Sequence, residues 1–214
     1  MKHVHGWAFP DADAFMANEM KPDGSYQAGH LAAALAHVTD WSVAIDGGAH
    51  VGTWSKTLSG RFARVLAIEP SPDTFEALVS NLQTFGCLNV EARNIAIGAT
   101  GGRVAMHLEG RGVELKNTGA RFARPGGTIP LETIDSWQLP SLGLLKLDVE
   151  GSEAAALRGA VDTLRRCRPI VIFEDKNLWS RYGEPRDAAA KVLRTAGYVQ
   201  IQRVKMDEIW GPGR

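Results

Sequence analysis

The sequence predicts an α/β domain built on a doubly wound, mostly parallel sheet. Three observations predict it. Short apolar runs of strand length alternate with segments of helical spacing along most of the chain. Several of those runs end in acids, at Asp46, Glu69, Asp148 with Glu150, and Glu174 with Asp175. A glycine-rich turn follows the first acid. Right-handed crossovers wind such a sheet outward from a switch point, and its ligands sit beyond the carboxyl ends of the strands. Each strand-terminal acid is therefore a candidate site residue.

The elements follow in order. Residues 1–24 are rich in Pro, Asp and Gly and read as an irregular arm; His3, His5, Trp7 and Phe9 within it suit either a lid or packing at the domain edge. "HLAAALAHV" has the composition and spacing of a helix. Residues 1–40 are thus an arm and helix packed on a domain that spans 41–214, one domain overall. "SVAID" is a short buried parallel strand. "TWSKTLSG" reads as a helix ending at Gly60. "RVLAIEP" is a second strand. The helix after it has a well-marked start: Ser71 as N-cap, Pro72 in the first helical position and Asp73 at the positive end of the dipole. Phe75, Leu78, Val79 and Leu82 form its apolar stripe, and Gly86 ends it.

"NVEARNIAIG" reads as a third strand, and residues 103–108 and 128–131 as short ones divided by a Gly/Arg-rich loop. "LGLLKLDVEG" is a fourth buried strand. "SEAAALRGAVDTLRRC" reads as one helix capped by Ser152, and "RPIVIFED" as a fifth strand. "PRDAAAKVLRTAG" is another helix. "YVQIQRV" and "MDEIW" close the chain as a hairpin.

Length and composition bound the function. The chain has 214 residues, enough for one full core. Lys+Arg and Asp+Glu are 24 each, so no global field favours nucleic acid as a partner. Cys87 and Cys167 fit no metal spacing and read as reduced thiols. The first residues carry no continuous apolar run of the signal-peptide kind, and no run reaches the length of a membrane span. A cytoplasmic protein without a membrane partner is expected. The oligomeric state is not legible.

The turn reads Asp46-Gly47-Gly48-Ala49-His50-Val51-Gly52. Glycines there permit positive φ and close approach of a ligand to the backbone. The dinucleotide fingerprint fails, because Ala49 stands at its second glycine when Gly47 and Gly52 are the outer pair. A P-loop is excluded, since no Gly-Lys-Ser/Thr follows. A second acid, Glu69, ends the next strand. A carboxylate there accepts two hydrogen bonds from a ribose diol and repels a 2′-phosphate or a pyrophosphate. Asp46 suits an ammonium or an ordered water. A ligand with a ribose, an adenine and an amino-acid tail fits both acids, and S-adenosyl-L-methionine is such a ligand. The alternative is a helix–sheet packing turn with no ligand.

"AIDGGAHVGTWS", "VLAIEPSPDTFEALVSN", "NIAIG", "LETIDSW", "LLKLDVEGSEAAALRGA" and "RPIVIFE" occur in this order over residues 43–174. In these segments the chain resembles the FkbM-type methyltransferases, a branch of the class I S-adenosylmethionine-dependent enzymes. The resemblance implies a Rossmann-like, seven-stranded sheet with a C-terminal antiparallel hairpin and the cofactor over strands one and two. It implies that Asp46, Gly48 and Gly52, with Gly47 and Ala49 of the same turn, bind the methionine end. Glu69 is implied to hold the ribose, Pro70 and Ser71 to lie beside the adenine, and Asn94, Ile95 and Ala96 to pass its edge. Asp148 is implied to face the methyl group. The loop over 116–121 resembles the family's Asn-x-Gly segment near the acceptor, which makes Asn117 and Arg121 substrate candidates, together with Glu174.

Methyl transfer from a sulfonium is an in-line displacement, and a hydroxyl acceptor must also lose its proton. Asp148 is the first catalytic candidate, with a helix cap as its alternative, and Glu150 is the second, with the following helix's first turn as its alternative. Asp148, Glu174 and Asp175 have the chemistry for magnesium, but no third-ligand spacing is recognisable and no metal is expected. Lys146 reads as half of a structural ion pair. His50, inside the glycine turn and near any cofactor tail, suits a base, but reads better as a surface-loop histidine. Tyr26 and Gln27 suit cofactor contact or packing equally. Arg111, Arg121 and Arg124 suit an anionic or sugar-phosphate acceptor, or a solvated loop. Trp41, Trp54 and Trp137 read as core. The favoured function is O-methylation of a hydroxyl on a small metabolite or glycan. The alternatives are an NAD(P)-dependent oxidoreductase and a non-catalytic S-adenosylmethionine-binding module.

Overall fold

The computed structural model describes residues 1–21, 27–108 and 117–213. In the described part of the N-terminal arm β1 (Lys2–Val4) and β2 (Trp7–Phe9) form a hairpin, and α1 (Ala14–Glu19) follows. Then come α2 (Ala28–Leu35), β3 (Val43–Gly47), α3 (Thr53–Ser59), β4 (Arg64–Ile68), α4 (Pro72–Thr84) and β5 (Val90–Arg93). β6 (Ala96–Ile97), β7 (Gly102–His107), β8 (Phe122–Pro125) and β9 (Ile129–Glu132) come next. The chain continues through β10 (Leu144–Leu147), α5 (Glu153–Arg158), α6 (Val161–Cys167), β11 (Ile170–Glu174), α7 (Ala188–Thr195), β12 (Tyr198–Val204) and β13 (Asp207–Pro212).

The main sheet has seven strands in the order β12-β13-β11-β10-β3-β4-β5. β11, β10, β3, β4 and β5 are parallel neighbours, and β13 runs antiparallel between β11 and β12. Chain order reverses between β3 and β10, which puts the switch point beside the glycine turn. Alternate residues face opposite layers. Ile45, Leu66, Leu145, Val171 and Phe173 meet Leu157 of α5, Leu164 of α6 and Leu193 of α7. Ala44, Val65, Leu144 and Ile172 meet Leu31 of α2 with Trp54 and Leu58 of α3.

Five details differ from the sequence reading. The arm is no irregular entry: Ala8 N–H donates to Asn81 Oδ1 (2.7 Å), and Asn81 Nδ2 donates to the carbonyls of Ala8 and Val51 (2.9 Å each). Trp7, Phe9 and Met16 are buried on that anchor. The expected third strand is two strands, because Asn94 Nδ2 donates to the carbonyls of Glu69 (2.8 Å) and Pro70 (3.0 Å) and turns the chain away. β6 joins a separate four-stranded sheet, β6-β9-β7-β8. The single helix expected after the fourth strand breaks at Gly159, whose backbone packs so close to the Gly98 carbonyl that a Cβ would lie 2.1 Å from it. Ser71 and Ser152 do not cap with their side chains; Ser71 N–H donates to Glu69 and Ser152 Oγ to the Val149 carbonyl. Trp54 is core, whereas Trp41 is exposed against Phe62 and Trp137 is half-buried.

Glu153 is buried in the first turn of α5, and its Oε1 accepts the N–H groups of Val149 and Gly151 (3.2 Å each). Burial pushes its carboxyl up to about 7, against an ordinary 4.5. A raised carboxyl is neutral in the folded chain, so its stabilising effect is whole below about pH 4.5 and is lost as pH rises through 7. Glu153→Gln keeps the accepting oxygen and removes the charge. Thermal unfolding at pH 8.5 is expected to show a gain of several degrees, from a penalty of about 3 kcal/mol at most, and none at pH 4.5. An equal shift at both pH values would contradict the assignment.

Candidate cofactor cavity

A cavity of about 300 Å³ lies beyond the carboxyl ends of β3, β4, β10 and β11. That volume falls in the range of small-molecule sites. One end is built by Glu69. Its carboxylate is 6% exposed; Oε2 accepts the His50 N–H (3.0 Å) and Oε1 the Ser71 N–H (2.9 Å). Burial pushes its carboxyl up, partly offset by His50 and these hydrogen bonds. The Ser71 hydroxyl bonds it as well, and the two oxygens together keep accepting capacity for a ligand donor. Pro70, Ser71, Ile95 and Ala96 line the cavity beside it; the Asn94 side chain does not, being held on the Glu69 and Pro70 carbonyls.

The glycine turn is held by the chain's own hydrogen bonds. The N–H groups of Gly48 and Ala49 both donate to the Ile68 carbonyl (3.0 and 2.9 Å), and that of His50 to Glu69. These three amides are occupied, so the turn is no anion cradle. Gly48 and Ala49 line the cavity. Gly48 has φ +75°, and a Cβ on it would lie 1.9 Å from the Asp148 carbonyl oxygen; the glycine is required where β3 and β10 end side by side. Gly47 and Gly52 lie outside the lining. The missing Cβ of Gly47 points at Leu147 and the Lys146 carbonyl, that of Gly52 at Leu78 of α4.

Asp46 does not reach the cavity. It is fully buried, with Lys146 Nζ 2.9 Å from Oδ1 and Ser55 Oγ donating to Oδ2 (2.7 Å). Lys146 also donates to the Gly48 carbonyl (2.7 Å). A charge with no route to solvent needs its partner inside, so the aspartate assigned to a ligand tail instead clamps the turn from within.

The other end holds a cluster centred on Lys176, a residue the sequence reading passed over. Its Nζ lies 3.0 Å from Asp148 Oδ1, 2.7 Å from Glu150 Oε1 and 3.0 Å from Glu174 Oε2. Burial opposes charge on Lys176, but the three carboxylates outweigh it and drive the ammonium's pKa far up. Burial likewise raises Asp148, yet Lys176 and Lys146 hold it below the usual carboxylate range. Glu174 is pushed up to about 7 by burial and the nearby Asp148 charge, and Glu150 is raised mainly by burial. Glu150 has φ +55° and lies within 3.9 Å of Arg181 as well as on Lys176. These cations engage the carboxylate proposed as the second catalytic group. Asp175 turns away and pairs with Arg203.

A profile described as the methyltransferase FkbM domain matches residues 46–200. The chain belongs to this family. It is 23% identical over 175 residues to the hexuronic acid methyltransferase AglP of Haloferax volcanii, covering 79% of this chain and 69% of that protein. Among solved structures it is similar to an FkbM methyltransferase from Methylobacillus flagellatus (TM-score 0.53, 17% identity), covering 80% of this chain and spanning only 43% of that one. It is also similar to a Streptococcus mutans protein assigned as a methyltransferase and crystallised with S-adenosylhomocysteine, SAH (TM-score 0.55, 13% identity, 86% and 94% covered). The fold is the class I methyltransferase fold.

In this FkbM-family chain Asn117, Thr118, Gly119 and Arg121 also line the cavity. Arg121 is held by a bidentate ion pair to Asp73 of α4. Arg124 lies over the Phe122 ring, outside the lining. Tyr26, Arg111 and Lys116 lie outside the described residues, while Gln27 lines the cavity. His50 is no solvated loop histidine: its ring packs into the lining against Asp13 and Thr118. Among the described residues no three of His, Cys, Asp and Glu are grouped as metal ligands, and no helix is long and apolar enough to cross a membrane.

Proposed function

We propose that this chain is an S-adenosylmethionine-dependent O-methyltransferase acting on a hydroxyl of a small molecule or glycan, with a hexuronic acid as the first acceptor class to test. One observation carries the reading: a single cavity with a buried, doubly anchored carboxylate at one end and carboxylates at the other, the Gly48, Ala49 and His50 amides between them being bonded within the chain. The carboxylate acceptors suit a ribose diol and an ammonium, and oppose a pyrophosphate. S-adenosylmethionine, when bound, supplies a methyl group activated on a sulfonium. Glu69 accepts from the ribose hydroxyls, with Pro70, Ser71, Ile95 and Ala96 beside the base. Asp148, ionised under Lys176, attracts the amino-acid tail. Asn117, Arg121 and Glu174 face the acceptor. The Haloferax relative's hexuronic acid supports the acceptor class.

Calorimetry against S-adenosylmethionine, SAH and NAD⁺ tests the cofactor. Binding of the first two and not the third is expected; binding of NAD⁺ alone would reverse the reading. Mass spectrometry of glucuronate, galacturonate and 4-nitrophenyl glucuronide incubated with enzyme and cofactor tests the acceptor class, with a methyl ether expected on at least one. Methyl transfer to none of the three sinks the hexuronic acid assignment.

A further inference from the structure

His50, Asp13 and Thr118 form a hydrogen-bonded group on the cavity wall, drawn from three separate parts of the chain. His50 Nε2 lies 3.0 Å from Asp13 Oδ2 and 3.0 Å from Thr118 Oγ1. Thr118 Oγ1 donates to the same Asp13 oxygen (2.6 Å), and Asp13 Oδ1 accepts the Met16 N–H (3.0 Å). Asp13 has no exposed surface. Burial raises its carboxyl, but the contacts to His50, Thr118 and Met16 outweigh this and hold it ionised. An ionised carboxylate only accepts, and the single hydroxyl proton of Thr118 is already directed to it. Nε2 must therefore be the donor. With Nε2 as the donor, the lone pair of the uncharged ring form is on Nδ1. That atom has no partner among the described residues, yet it is not among the sealed polar atoms that lack one. The ring lines the cavity, so Nδ1 is open to a ligand.

The backbone fixes the ring's origin. His50 has φ +52°, an uncommon conformation for a residue with a side chain, and its N–H is tied to Glu69. Asn81 joins the next residue, Val51, to the arm at Ala8. Asp13 lies in that arm, before the family match begins at residue 46.

We infer that His50 is the general base of the methyl transfer and that Asp13, supplied by the N-terminal arm, is its positioning residue. This rests on the proposed O-methyltransferase reading. The acceptor oxygen forms its bond to the methyl carbon as the carbon–sulfur bond breaks and leaves a thioether. The hydroxyl proton passes to Nδ1, the imidazolium is balanced by Asp13, and the proton then leaves to solvent. Asp148, held ionised under two ammonium groups, serves as a fixed charge.

Two experiments test it. In the first, His50→Asn keeps a residue that tolerates the left-handed backbone. Its turnover on 4-nitrophenyl glucuronide is expected to fall by roughly 10²–10⁴-fold, with SAH affinity within about threefold of wild type. Asp13→Asn is expected to lower kcat with KM for the acceptor nearly unchanged. Undiminished kcat in folded His50→Asn overturns the inference. The second needs no acceptor and separates the inference from the acceptor assignment. Nitrogen NMR of labelled wild-type protein with SAH bound is expected to show the His50 proton on Nε2 and a bare Nδ1. A proton on Nδ1 instead overturns the inference even where all three glucuronide and uronate probes fail as acceptors.

Discussion

Glu69→Ala weakens SAH binding by about 10²–10⁴-fold. The estimate rests on two hydrogen bonds to a charged acceptor at about 1.5–3 kcal/mol each, read as a dissociation constant. The geometry explains why the position cannot be replaced by a neighbour. Glu69 ends β4 and is pinned by the His50 and Ser71 N–H groups, so its remaining acceptor sites are fixed before a ligand arrives. Pre-organisation of this kind lowers the ordering cost of binding. Glu69→Gln keeps one accepting oxygen and should fall between wild type and alanine. Calorimetry with SAH on variants whose melting is unchanged decides the matter. Full affinity in Glu69→Ala would remove the ribose assignment and return the cavity to an unassigned state.

The sequence made the fold legible where local pattern and tertiary demand agree. The parallel strands are short apolar runs between helices, and Pro72 with Asp73 marks the start of α4 without help from packing. Legibility failed where one residue acts at a distance. Nothing near Trp7 announces a hairpin, because Asn81, in α4, holds it in place. The split of the third strand depends on Asn94 reaching the end of β4, and the break at Gly159 on the approach of Gly98.

The site divides in the same way. Strand-end position alone points to Glu69, Asp148, Glu150 and Glu174, and all four meet in one cavity. The same rule misplaces Asp46. Its strand-end position is right, but side chains alternate across a sheet, and at that register Lys146 of β10 stands opposite it. Lys176 follows the fifth strand's acids in the sequence, yet its role appears only when β10 and β11 bring three carboxylates to one ammonium. The glycines mark the right turn, and packing alone already requires Gly48 there, because it clears the Asp148 carbonyl; it also lines the cavity. The place of His50 in the turn marked it as a possible base, but its partners Asp13 and Thr118 lie far from it in sequence and gave no signal.

Asp148→Asn should lower both cofactor affinity and turnover, and the pairing of these losses identifies its role. A general base lost alone would reduce kcat and leave affinity intact. A fixed anion for the cofactor's ammonium, once neutralised, costs about 1.5–3 kcal/mol in binding, or roughly 10–150-fold. The fold should survive, because Glu150 and Glu174 still hold Lys176. A second readout follows from electrostatics. The Asp148 charge helps push the Glu174 carboxyl up to about 7, so removing it should lower the Glu174 midpoint in carboxyl-carbon NMR. A metal-centred role makes a different forecast. Lys176 Nζ already stands at the focus of the three carboxylates, and a divalent cation would have to displace that ammonium from 2.7–3.0 Å contacts. Turnover should therefore persist in EDTA and gain nothing from added magnesium. Loss of activity on chelation with recovery in magnesium would make Asp148 and Glu174 ligands, and Lys176 the residue that moves aside. An Asp148→Asn variant with unchanged affinity and slow turnover would instead restore Asp148 as the base and displace His50.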